Sequence, residues 1–171
     1  MFSFLIQRPA LFCSLLALTS VQDGRVQQSQ KLNAISEVRI PATGVTDETA
    51  VRFEAVDLFV DSASQPLAAW QLELFSSTPG VEIVGIEGGD HPAFRNPPYY
   101  DPRAIRNKRV ILGAFRVSND DELPTGRQRV ARVHVQVRGT DERVWTGRLT
   151  AAATSDGQPI FAGIEVEKSG G

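Results

Sequence analysis

Cysteine is almost missing from this chain: Cys13 is the single one among 171 residues. It lies inside the N-terminal apolar run. A chain trimmed of that run therefore has no thiol, and with it no disulfide, cysteine nucleophile or thiolate metal site. An excess of one charge is missing as well. The chain holds 18 Lys and Arg against 20 Asp and Glu, a formal net charge of −2, which supplies no basic face for nucleic acid. Lysine occurs only at positions 31, 108 and 168, so arginine carries most of the positive charge. Nor does any apolar run reach the roughly 20 residues that a bilayer-spanning helix needs. Phosphate loops, metal-ligand spacings and nucleophile motifs are all lacking.

What is present is alternation. In AVDLFVDSASQPLAAWQLELFSSTPGVEIVGI, residues 55–86, Val56, Leu58 and Val60 alternate with Asp57, Phe59 and Asp61. Trp70, Leu72 and Leu74 then alternate with Gln71 and Glu73, and Val81, Ile83 and Val84 follow Pro79-Gly80. A period of two, bounded by Ser, Pro and Gly, predicts half-buried antiparallel strands. Trp70, in phase with Leu72 and Leu74, reads as a core residue.

The first fifty residues have a different character. Arg8 precedes an apolar run from Ala10 to Leu18, broken only by Ser14, and small or polar residues follow. This pattern predicts an export signal over residues 1–20, cleaved near Ala17 to Thr19 or just after Ser20. The reading implies a secreted, periplasmic or cell-surface protein with no membrane insertion after cleavage; an uncleaved anchor is the alternative. Phe12, where a lipid-anchored protein would place a small residue before its cysteine, argues against a lipoprotein. Residues 21–49 read as a polar, disordered lead-in, in which SEVRI (36–40) has the pattern of an edge strand stopped by Pro41. The globular part is expected over 50–167, with a short disordered tail at 168–171. That length allows one domain with its own core.

Beyond residue 86, the segment GGDHPAFRNPPYYDPRAIRNKR (88–109) is too rich in proline for a strand, though Asp101-Pro102 can open a helical turn. Strands resume at RVILGAFRV (109–117). There Val110, Leu112 and Phe115 are expected inward, and Gly113 is expected to mark a bulge or a close approach. In RVARVHVQVRG, Ala131, Val133, Val135 and Val137 form one face, and Arg132, His134, Gln136 and Arg138 the other. A strand over about 144–153 is joined by the Ser155-Asp156-Gly157 turn to a last one over 160–166. The sum is an all-β, antiparallel two-sheet sandwich of Greek-key or jelly-roll type, with about 7–9 strands. One long connection interrupts the meander, as Greek-key returns require, and a closed barrel is the rival.

Few residues invite chemistry. His91, Phe94, Tyr99 and Tyr100 share the proline-rich loop, and Tyr or Phe there can stack on a sugar or anchor a protein partner. The alternative is a loop folded back to cap the sandwich, burying Phe94 and Tyr99. Trp145, beside Arg143 and Arg148, is a further candidate for ligand contact, against packing in the sheet. His134 with Arg132 and Arg138 reads as a solvated strand face, because no nucleophile or orienting carboxylate accompanies it. Asn119, Asp120, Asp121 and Glu122 could offer oxygens to calcium, but the EF-hand spacing is absent and a solvated turn is the simpler reading. Glu82, Glu87 and Asp90 are too loosely placed for the paired carboxylates of a glycosidase. No enzyme and no cofactor is expected.

Taken in order, VDLFVDS, LAAWQLELF, GVEIVGIEGGD, LPTGRQRVARVHVQV and TSDGQPIFAGIEV resemble the successive strands of the cohesin domain and of the carbohydrate-binding-module sandwiches related to it. The resemblance covers about residues 50–167. It implies a cohesin-like sandwich that docks a dockerin-type protein on one sheet face. The alternatives are a polysaccharide or cell-surface glycan as ligand, or an envelope module with no specific ligand.

Overall fold

The computed structural model describes residues 34–42, 50–117, 119–139 and 141–170. The expected signal segment, Cys13 and most of the polar lead-in lie outside these residues. The chain forms eight strands: β1 (Ala34–Ile40), β2 (Val51–Asp61), β3 (Ala69–Ser76), β4 (Val81–Gly88), β5 (Arg109–Phe115), β6 (Arg127–Arg138), β7 (Arg143–Ala153) and β8 (Gly163–Lys168). Its helical content among the described residues is three short 3-10 turns, at Pro92–Phe94, Pro102–Ala104 and Asp120–Glu122. None is long and apolar enough to cross a membrane. The strands build two four-stranded antiparallel sheets, sheet I in the order β1-β7-β3-β5 and sheet II in the order β4-β6-β2-β8. The two-sheet sandwich expected from the alternation is what forms.

The connectivity differs from a meander. Odd-numbered strands lie in sheet I and even-numbered ones in sheet II, so every connection crosses the sandwich and no consecutive strands pair. Such winding between two sheets is that of a jelly roll. The Asp156-Gly157 turn forms, closed by the Gly157 N–H on the Thr154 carbonyl at 3.0 Å and a bridge between Ala153 and Pro159. The chain then leaves that ladder, and β8 pairs with β2 in the other sheet. At the start, the edge strand expected over 36–40 forms and is two residues longer. Ala34–Ile40 is a full edge strand, paired with β7 from Ala34↔Leu149 to Ile40↔Arg143. The sandwich thus begins within the stretch expected to be a linker, because Val38 and Ile40 have apolar surface to bury against it.

The inward faces follow the period of two. Val56, Leu58, Val60, Leu72, Leu74, Val133, Val135 and Leu149 have no exposed surface. Burial of each such side chain is worth about 1.5–3 kcal/mol, which offsets the absence of disulfides. Gly147 faces this core because β8 comes close: a Cβ there would lie 2.5 Å from the Val166 side chain.

Both open sides of the sandwich are covered. On one side β1 meets β8, where the Val166 N–H donates to Ser36 Oγ at 3.1 Å. On the other, the 88–109 loop passes from β4 to β5 and pairs with both edges. The Arg106 N–H donates to the Ile83 carbonyl (2.7 Å) and the Ile83 N–H to the Asn107 carbonyl (2.8 Å). Tyr99 and Gly113 exchange both backbone hydrogen bonds, at 2.8 and 3.0 Å. Exposed strand edges invite unwanted pairing, and this loop removes much of that hazard.

Candidate recognition surface

The proline-rich loop divides its aromatic residues between core and solvent. Phe94 is 2% exposed and meets Trp70 edge-on, with ring centroids 6.1 Å apart at 75°. Tyr100 is half-buried against the same core. Tyr99, between them, is 73% exposed. His91 serves the loop itself: its Nδ1 accepts the Ala93 N–H at 3.2 Å and caps the Pro92–Phe94 turn. The Asp101 side chain does the same for the next turn, through the Arg103 N–H at 2.9 Å.

Trp145 is fully buried, in phase along β7 with Leu149. Phe94 and Trp145, both candidates for ligand contact, therefore present no ring to solvent. Trp145 is inward because its neighbour Arg143 is inward too. The Arg143 guanidinium, 1% exposed, donates to Glu54 Oε1 at 2.7 Å and to the Asp141 carbonyl at 2.9 Å. A buried arginine so partnered is no sign of a polar face.

The outward residue that the alternation missed is Phe115. Gly113 makes no bulge: β5 runs in unbroken register against β3, from Phe75↔Arg109 through Gln71↔Gly113 to Ala69↔Phe115. Val110 and Leu112 point inward as expected, and Phe115 points out. Nor is Gly113 a close approach, since a Cβ there would come no nearer than 3.5 Å to a neighbour; it pairs with Gln71 on one side and Tyr99 on the other. This places the Tyr99 ring over that of Phe115, stacked at 6.0 Å with an interplanar angle of 14°. Beside the pair lies an open groove of about 340 Å³, floored by Ala69, Gly113, Ala151 and Ala153, with Gln71 at its side. Gln71 Nε2 donates to Thr150 Oγ1 at 3.0 Å. Ile111 continues the exposed apolar line along β5.

The outer face of sheet II is chemically different. Asp57 accepts two hydrogen bonds from Arg132, at 2.7 and 2.9 Å, and one from Arg129 at 3.3 Å. Burial pushes the Asp57 carboxyl upward, but hydrogen bonds from Arg132, Ser169 and Arg129 outweigh this and hold it below the usual carboxylate range. Arg129 also pairs with Asp90. His134 Nε2 lies 2.8 Å from Glu87 Oε1. Arg127 reaches Glu165 and Glu167, both at 2.6 Å, while its guanidinium sits 3.6 Å from the centre of the Phe59 ring. His134 thus stands in a row of partnered polar side chains.

Asn119, Asp120, Asp121 and Glu122 lie on a surface turn, where Asp120 Oδ1 accepts the Ser155 hydroxyl at 2.6 Å. Among the described residues no group of three or more His, Cys, Asp or Glu is gathered to hold a metal ion. In comparisons with known proteins, no family model, no curated protein and no solved structure matches this chain.

Proposed function

We propose that this chain is an exported, non-catalytic recognition module that docks a protein partner on the outer face of sheet I. The observation that carries the reading is the exposed Tyr99–Phe115 pair beside a floor of small side chains. Aromatic anchors next to a shallow apolar surface are typical of the centre of a protein interface, where most binding energy concentrates. The cohesin resemblance supplies the class of partner, a dockerin-type protein, and the expected export signal supplies the compartment.

A polysaccharide is the second reading, favoured by Gln71 beside the stacked rings. Its support is thinner. Sugar sites need several polar groups aimed at hydroxyls, and Gln71 and the Tyr99 hydroxyl are the polar side-chain groups of this groove besides the Trp70 indole. With Trp145 and Phe94 buried, two of the five candidate contact residues are withdrawn from stacking.

The test is passage of dockerin-type proteins over the immobilised chain with calcium present. Retention is expected, weakened at least about tenfold, or 1.4 kcal/mol, in the double variant Tyr99→Ala, Phe115→Ala. No retention, or retention that ignores both substitutions, overturns the reading. Binding to insoluble polysaccharide in its place would install the second one.

A further inference from the structure

The apolar groove does not end at Gly113. Further along β5 a second depression of about 490 Å³ lies between that strand and the Pro102–Ala104 turn, lined by Arg103, Asn107, Lys108, Arg109 and Ile111 among others. Ile111 shares the outward parity of Gly113 and Phe115, so β5 floors both depressions. The seven residues from Arg109 to Phe115 span roughly 20 Å at about 3.3 Å per residue. That is the reach of a short extended segment.

The two halves differ in charge. The first is apolar, and the second is cationic with unequal pairing. Arg109 is satisfied by Glu73 at 2.5 Å. Asp101 is the carboxylate lining the depression, and its Oδ1 is taken by the Arg103 N–H. Arg103 and Lys108 form no ion pair with any carboxylate of the described residues, and both are exposed. A second copy of this chain is a poor occupant. Set against itself in parallel, the strand would bring Arg103, Lys108 and Arg109 toward the same cations, which is costly; set antiparallel, it would face them with the apolar half, whose lining holds no carboxylate.

We infer that the β5 groove takes an acidic segment of a protein partner that also bears apolar side chains. Its apolar groups lie against Tyr99 and Phe115, and its carboxylates meet Arg103 and Lys108. This deepens the recognition reading and rests on it. Charge-assisted hydrogen bonds from arginine and lysine supply selection of acidic over neutral segments, and the aromatic pair supplies buried area.

Fluorescence anisotropy of the full chain with labelled, end-capped peptide pools tests the inference. One pool is built from Glu, Leu, Phe and Gly, and two others carry Gln or Lys in place of Glu. The Glu pool is expected to bind, the Gln pool to bind at least about tenfold more weakly, and the Lys pool not at all. Raising salt from about 0.05 M to about 0.5 M should weaken the Glu pool, since exposed charges are screened over a few ångströms at high salt. The double variant Arg103→Glu, Lys108→Glu should lose about tenfold. Both positions are exposed, and an unchanged thermal melt checks the fold. Equal binding of the Gln pool, no binding of the Glu pool, or indifference to the double variant overturns the inference. A protein partner lost with Tyr99→Ala and Phe115→Ala but untouched by Arg103→Glu and Lys108→Glu would overturn the acidic class alone and leave the recognition face standing.

Discussion

On sheet II, Asp57, Glu87, Asp90, Glu165 and Glu167 each meet an arginine or histidine of β6. Along β5 of sheet I, Arg103 and Lys108 meet no carboxylate among the described residues, and Tyr99, Ile111 and Phe115 stand in solvent. The two faces sit on one sandwich with similar strand lengths, so architecture does not explain the difference. Charge pairing does. A face whose charges are already paired gains little from a partner, because covering it desolvates ions that have their counter-ions at hand. A face with open cations beside an apolar groove gains on both counts. What distinguishes the proposed recognition side is that open cations stand beside the stacked Tyr99–Phe115 pair and its groove.

Substitutions separate the two faces. The largest effect is expected in the layer that both faces share. Trp145→Ala, at a fully buried position, should cost about 3–5 kcal/mol in denaturant unfolding. Breaking the buried pair through Glu54→Ala should cost about as much, roughly 3–5 kcal/mol, by leaving the Arg143 charge in the interior. Next comes the sheet II ladder. Asp57→Ala, which strands Arg132 and leaves Arg129 with Asp90 alone, should lower stability by about 2 kcal/mol and leave partner binding unchanged.

The same carboxylate sets a pH signature. Its pKa is depressed in the folded chain from 3.8, so its contribution is present above that value and lost as pH falls through the lower folded one. Asp57→Asn should therefore flatten the acid limb of stability against pH below about 4. The smallest stability change belongs to sheet I: Tyr99→Ala should cost less than about 1 kcal/mol, yet weaken recognition most. If Tyr99→Ala destabilises the chain as Asp57→Ala does and leaves binding intact, the contrast between the faces is gone.

Strand positions and inward faces were legible at β2, β3 and β6, because one-sided burial imposes a period of two on Val56 to Val60, Trp70 to Leu74 and Ala131 to Val137. Partners were not legible. Alternation says which way a side chain points and nothing about which strand lies beside it, and here every connection leaves its sheet. One misreading and one open reading have local causes. Gly113 looked like an interruption, which turned Phe115 inward and hid the aromatic pair; its backbone pairs in regular register with Gln71 and exchanges hydrogen bonds with Tyr99. Trp145 stood open between packing in the sheet and ligand contact because Arg143 and Arg148 flank it, and packing is what forms. The fact that settles Arg143 inward is Glu54, 89 residues away in the chain, and no local pattern carries such a pairing. The loop's aromatic residues could be named as candidates, but whether each was core or surface depended on a fold-back that proline content alone does not specify.

Hydrogen–deuterium exchange of the full chain, with and without the dockerin-type protein retained on the column, locates the docking face. New protection is expected over residues 99–115, with unchanged exchange over β6 and β8. Protection concentrated at residues 127–134 and 163–168, or no retained partner to add, would contradict that placement.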